Sequence, residues 1–163
     1  MFNKGDRIFY GQTGVCTVED ISEKALTKNH KRLYYTLKPL YQQNNIIYAP
    51  VESEKVFMRE IISVDEAKKL IQTVPDIYEK ALDGEGKPDY QEYIDSHSCE
   101  ELLELAVMIY SKKQAAKRMK KKTGFIDEKY LKRAEELLFG ELAAALNITP
   151  AEVPEILFAA IKK

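Results

Sequence analysis

Lys55-Val-Phe-Met-Arg-Glu-Ile-Ile-Ser-Val-Asp-Glu-Ala-Lys-Lys-Leu-Ile71 contains the change that decides the fold. Up to Ile62 the apolar residues fall in short β-branched and aromatic runs; from Ser63 they recur every three to four positions. Ser63-Val-Asp-Glu66 reads as a capping box, with the serine oxygen accepting from the amide three residues on and Glu66 reaching back. A helix through Gln72 follows, with Ala67, Leu70 and Ile71 as its apolar stripe.

Upstream of this switch the residues predict five strands: Arg7-Ile-Phe-Tyr10, Gly14-Val-Cys-Thr-Val18 running on through Ile21, Arg32 to Lys38, Asn45 to Pro50, and Lys55 to Arg59. Gly11, Gly14, Pro39, Asn44 and Asn45 punctuate them, a spacing that fits a small antiparallel β-barrel. Pro50 ends a strand or sits on an edge, because it has no amide proton for a ladder. Tyr34 and Tyr35 alternate, which predicts one core and one surface ring.

Downstream the pattern is helical throughout. Pro75-Asp76 starts a second helix that stops before Asp83-Gly-Glu-Gly-Lys-Pro88, and Asp89 to Ser96 forms a short one with Tyr90, Tyr93 and Ile94 on one side. Ser98-Cys-Glu-Glu101 is a second capping box. It opens a long helix that is apolar nearly all round from Leu102 to Ile109, so that helix must be central. Its continuation from Ser111 to Lys122 is almost devoid of apolar residues, so the helix projects a basic end until Thr123-Gly124 stops it. A third long helix begins near Asp127, with Tyr130, Leu131, Ala134, Leu137, Leu138, Leu142 and Ala145 at helical spacing. Thr149-Pro-Ala-Glu152 caps the last helix, which turns Val153, Ile156, Leu157 and Ala160 inward. The expectation is an α+β protein, with a β-barrel over residues 1–62 followed by an all-α domain over residues 63–163.

At 163 residues the chain can bury roughly 70% of its unfolded surface, so neither disulfides nor a metal is needed for stability. The longest apolar runs are a handful of residues, short of the ~20 that a membrane span requires. No secretory signal is readable after Met1, and the widely separated Cys16 and Cys99 read as reduced thiols, which places the chain in the cytoplasm.

The net charge of −1 conceals a segregated distribution. Residues 1–62 carry 9 basic and 7 acidic groups, and residues 63–110 carry 4 and 12. Residues 111–133 reverse the sign with 10 and 2, and residues 134–163 carry 2 and 5. The run Lys112, Lys113, Lys117, Arg118, Lys120, Lys121 and Lys122 is the strongest partner signal, with Lys129, Lys132 and Arg133 extending it onto the next helix. A solvated helix end complementing the dipole is one reading. Attraction to a nucleic-acid backbone is the other, and the dominance of lysine over arginine points to phosphate contact without base reading.

No constellation for catalysis is readable. His30 and His97 stand alone in their segments, and neither has a spacing that pairs it with Cys16, which reads as a small buried strand residue. Asp83, Glu85, Asp89 and Asp95 match no calcium loop, so neither a metal nor another cofactor is expected. Among the ten tyrosines most read as core, but Tyr48 lies beside Pro50 in an edge strand. An apolar edge such as Ile46-Ile47-Tyr48-Ala49 invites strand addition by a partner chain.

Phe2-Asn-Lys-Gly-Asp-Arg-Ile-Phe-Tyr-Gly-Gln-Thr-Gly-Val15, Leu33-Tyr-Tyr-Thr-Leu37, Ile47-Tyr-Ala-Pro-Val51 and Val56-Phe-Met-Arg59 resemble the N-terminal domain of the CarD/CdnL transcription regulators. That module is shared with the polymerase-interacting domain of transcription-repair coupling factor. Arg133-Ala-Glu-Glu-Leu-Leu-Phe-Gly-Glu-Leu-Ala143 and Ile148-Thr-Pro-Ala-Glu-Val153 are similar to the late helices of the same family. The resemblance implies a Tudor/SH3-like barrel that docks on the β subunit of bacterial RNA polymerase, with contacts mapping to Ile46, Ile47, Tyr48 and Pro50. It also implies a helical domain that touches promoter DNA and alters open-complex stability, here through the lysine run.

Relatives often carry a basic residue at the position of Tyr48, and they place a tryptophan at the start of a helix in the second domain. This chain has no Trp; its corresponding stretch is loop 83–88 followed by Tyr90, which becomes the aromatic candidate for DNA contact. The expectation is a monomeric, non-enzymatic regulator bridging RNA polymerase and promoter DNA. The alternative is a protein–protein adaptor on the polymerase without direct DNA contact.

Overall fold

The computed structural model describes residues 1–11, 13–27, 30–42, 44–52, 56–84, 86, 88–159 and 161. Lys55 of the fifth expected strand, Glu85 and Lys87 of the loop, and the inward position expected for Ala160 lie outside the described residues. The chain divides into two compact units, Met1–Ile61 and Ile62–Lys163.

The first unit is a five-stranded antiparallel sheet of β1 (Arg7–Tyr10), β2 (Gly14–Thr27), β3 (His30–Pro39), β4 (Ile47–Pro50) and β5 (Met58–Glu60) in the order β4-β3-β2-β1-β5. Together with the helices that follow, this is the expected α+β architecture. The order is open among the described residues: β4 and β5 end the sheet and no ladder joins them, so in place of the expected barrel the strands form a sheet without hydrogen-bonded closure. β2 and β3 are longer than the apolar pattern predicts, because their ladder runs on through the polar Ser22 and Glu23 opposite Tyr34 and Leu33.

Ile8, Cys16, Val18, Tyr35, Leu37 and Ala49 form the core of this unit. Strict alternation would carry the inward face of β2 from Val18 to Asp20. A bulge between Val18 and Asp20 inserts one residue and brings Ile21 inward instead. Both rings of the Tyr34-Tyr35 pair are buried, contrary to the expectation of one at the surface. Tyr35 enters the core and takes a hydrogen bond from the Phe2 amide at 2.9 Å, while Tyr34 lies between Ser22 and Pro50 on the flanking strands. Gly11 makes the β1–β2 turn at φ +38°, and a Cβ there would stand 2.6 Å from Val56 Cγ1.

The second unit contains α1 (Val64–Gln72), α2 (Val74–Leu82), α3 (Tyr90–Asp95), α4 (Cys99–Arg118), α5 (Phe125–Leu146), a 3-10 turn (Pro150–Glu152) and α6 (Val153–Ala159). The Ser63–Glu66 capping box forms as expected, with both bonds at 3.1 Å. Ser98 Oγ accepts from the Glu101 amide at the start of α4. Leu102, Leu103, Leu105, Ala106, Val107, Met108 and Ile109 are all buried, so α4 is the central helix, packed against α2, α3 and α5. Glu141, fully buried on α5, accepts from the Ile62 amide at 3.0 Å and so fastens the first residue of the unit.

Two helix readings are corrected. α4 ends at Arg118, short of Lys122, because Lys120 turns left-handed at φ +55°. The Lys121 amide then donates to Ala116 O and the Lys120 amide to Lys117 O, a Schellman closure with lysine where glycine is favoured. In α6, Val153 and Leu157 are buried but Ile156 is exposed; Phe158 stacks on Tyr110 with centroids 4.2 Å apart.

Candidate functional site

In the first unit the expected partner strand β4 is one edge of the sheet. It pairs with β3 in the register Leu37 to Ile47, Thr36 to Tyr48, Tyr35 to Ala49 and Tyr34 to Pro50, and its other edge is unpaired among the described residues. Alternation divides the strand: Ala49 and Ile47 turn toward the core, whereas Tyr48 faces outward and is exposed. Ile46, just before the strand, is 59% exposed, and Pro50 is half-buried at its end. The Lys24 ammonium lies 4.7 Å from the Tyr48 ring centroid, so this edge presents an aromatic ring with a cation above it.

In the second unit the basic run separates into two groups. Lys112 donates to the Tyr90 hydroxyl with its ammonium 5.0 Å from the ring centroid, and Lys113 pairs with Glu128 at 3.4 Å. These two lysines knit α4 to its neighbours. Lys117, Arg118, Lys120, Lys121, Lys122 and Lys129 are exposed and form no ion pair with any described residue. They project around the turn between α4 and α5. Sequence spacing alone does not make this division, because the partners of Lys112 and Lys113, Tyr90 of α3 and Glu128 of α5, come from other helices.

Tyr90 opens α3 and is half-buried between α4 and α5. Its hydroxyl donates to Asp127 Oδ1 at 2.8 Å, and its ring meets Tyr130 edge-on with centroids 5.5 Å apart. Burial pushes the Tyr90 phenol above its ordinary pKa, against the lowering effect of the hydrogen bond from Lys112. The same bond raises Lys112 above the usual lysine value. Tyr90 therefore sits beside the cations with its polar atom and its ring already engaged.

Both cysteines are free and buried, and burial pushes the Cys16 thiol up to about 12, so Cys16 is not poised as a nucleophile. No group of three His, Cys, Asp or Glu that could hold a metal occurs among the described residues. No single helix there is long and apolar enough to cross a membrane. Sequence reading passed over Met119, Phe125 and Ile126, all exposed around the basic turn. The available signal was that Phe125 and Ile126 precede the apolar stripe of the helix they begin.

The small antiparallel sheet thus presents an open strand edge with Ile46 and Tyr48 exposed beside it. Residues 2–62 match the family model described as CarD-like/TRCF RID domain. Over these residues the chain is similar to the RNA polymerase-interacting domain shared by CarD-like proteins and TRCF, which supports a transcription-related role. No curated protein matches the chain.

Proposed function

We propose that the chain is a transcription regulator that binds the β subunit of bacterial RNA polymerase through the β4 edge and contacts promoter DNA through its helical unit, modulating open-complex formation. On the polymerase side, Ile46, Ile47, Tyr48 and Pro50 offer an unpaired strand edge with two exposed apolar side chains. Backbone pairing supplies affinity in such strand addition, and the outward side chains supply specificity.

The observation that carries the DNA half is the set of exposed cations around the α4–α5 turn that pair with no described carboxylate: Lys117, Arg118, Lys120, Lys121, Lys122 and Lys129. Exposed ammonium groups without carboxylate partners lose little on meeting phosphates and release counterions, so binding is sequence-tolerant and steeply salt-dependent. The reading is of a monomer acting in the cytoplasm, with no cofactor.

A gel shift with fork-junction promoter DNA, with and without RNA polymerase, tests this function. The wild-type chain should shift the DNA, and reversal of Lys120, Lys121 and Lys122 to Glu should abolish the shift while leaving polymerase capture intact. Retained DNA affinity with an unchanged salt slope would instead make the chain an adaptor that acts on the polymerase alone. Tyr48→Ala, at the exposed outward position of β4, should weaken capture of the β subunit; unchanged capture would remove β4 from the interface.

A further inference from the structure

The turn between α4 and α5 brackets its lysines with apolar side chains. Met119 precedes the 120–122 run and is 65% exposed; Phe125 and Ile126 follow it at 83% and 64%. Single exposed apolar residues are ordinary, but three within one eight-residue turn, among cations that pair with no described carboxylate, are a built surface. The two acids of this region are occupied elsewhere in the unit: Asp127 accepts from Tyr90 and Glu128 pairs with Lys113. Nothing acidic in the turn competes with an incoming anion. Phe125 makes no ring contact with a described residue and stands at the first position of α5.

We propose that this turn binds an unpaired nucleic-acid strand, with a base stacked on the Phe125 ring and the flanking phosphates held by Lys117, Arg118 and the lysines at 120–122. The proposal rests on the reading that the helical unit contacts nucleic acid, and it specifies which form of nucleic acid is preferred. A flat ring offers stacking to a base whose face is open, and bases inside a duplex have both faces covered by neighbours. Lysines follow a backbone as point charges without reading sequence. A lipid surface would be met by a broad apolar helix face, and here the apolar groups are confined to the tip of a turn.

The absence of Trp from the chain makes Phe125→Trp a single fluorescent reporter at the site. In the full chain, a short oligothymidylate should quench its emission, and a duplex of equal length should leave it nearly unchanged. Phe125→Ala should weaken single-strand binding by roughly 5- to 100-fold and duplex binding by no more than about twofold. The exposure of Phe125 makes this variant fold normally, which an unchanged melting temperature verifies.

If Phe125→Ala leaves single-strand affinity intact while the reversal of Lys120, Lys121 and Lys122 abolishes it, stacking is refuted and the nucleic-acid reading stands. If the chain binds neither strand form, both fall. A blue shift of the Phe125→Trp emission with anionic phospholipid vesicles, without quenching by the oligonucleotide, would assign the turn to lipid and overturn the proposal.

Discussion

The Tyr90 hydroxyl donates to Asp127 Oδ1 at 2.8 Å and accepts from Lys112 Nζ, so one phenolic oxygen joins the start of α3, the middle of α4 and the first turn of α5. Removing it tests whether Tyr90 holds helices together or contacts DNA. Tyr90→Phe should cost about 1 kcal/mol in urea unfolding, the usual loss for a partly buried hydrogen bond. Lys112 would be released to solvent, so affinity for nucleic acid should stay level or rise. A fall in affinity at unchanged stability would instead put the Tyr90 hydroxyl in the DNA contact.

Lys120 offers the opposite experiment, a gain of stability with a loss of binding. Its φ of +55° strains any side chain but costs glycine nothing. Lys120→Gly should therefore raise stability by about 0.5–1 kcal/mol, measured by chemical denaturation. It also removes one phosphate contact, so the salt slope of DNA binding should fall by about one.

Gly11 is constrained twice, by φ +38° and by the 2.6 Å that would separate a Cβ from Val56 Cγ1. Gly11→Ala should destabilise the sheet unit by about 1–3 kcal/mol, the range for an overpacked site. Adding Val56→Ala should recover the steric part and leave the backbone part. Equal melting temperatures for the single and double variants would show that Val56 is not the obstacle.

Burial raises the Glu135 carboxyl above its ordinary 4.5, with Glu128 adding to the shift and Lys113 opposing it. The folded state then binds the proton more tightly than the unfolded one, so stability falls as pH rises from 4.5 through the raised value. Glu135→Gln removes this titration. The variant should melt above the wild type at neutral pH, and the difference should shrink as pH approaches 4.5.

The local chemistry of this protein was legible. The Ser63 box, the strand at Arg7–Tyr10 and the apolar girdle of α4 all depend on residues close together in the chain, and each stands where its pattern places it. The matched domain over residues 2–62 agrees with the strand-rich reading of the same stretch. The bulge after Val18 was not legible, because an inserted residue is defined only by the strand opposite it. The burial of Tyr34 depends in the same way on Ser22 and Pro50 of neighbouring strands.

The candidate site divides along the same line. Sequence alone determined that positive charge is gathered between residues 111 and 133 and that Ile46 to Pro50 is an apolar, proline-ended strand segment. Tertiary structure decided that Lys112 and Lys113 are held by Tyr90 and Glu128, and that Phe125 and Ile126 stand in solvent. The physical reason is range. Charge, periodicity and a proline's missing amide are properties of neighbouring residues, whereas ion pairing and exposure depend on which distant segments fill the space around a side chain.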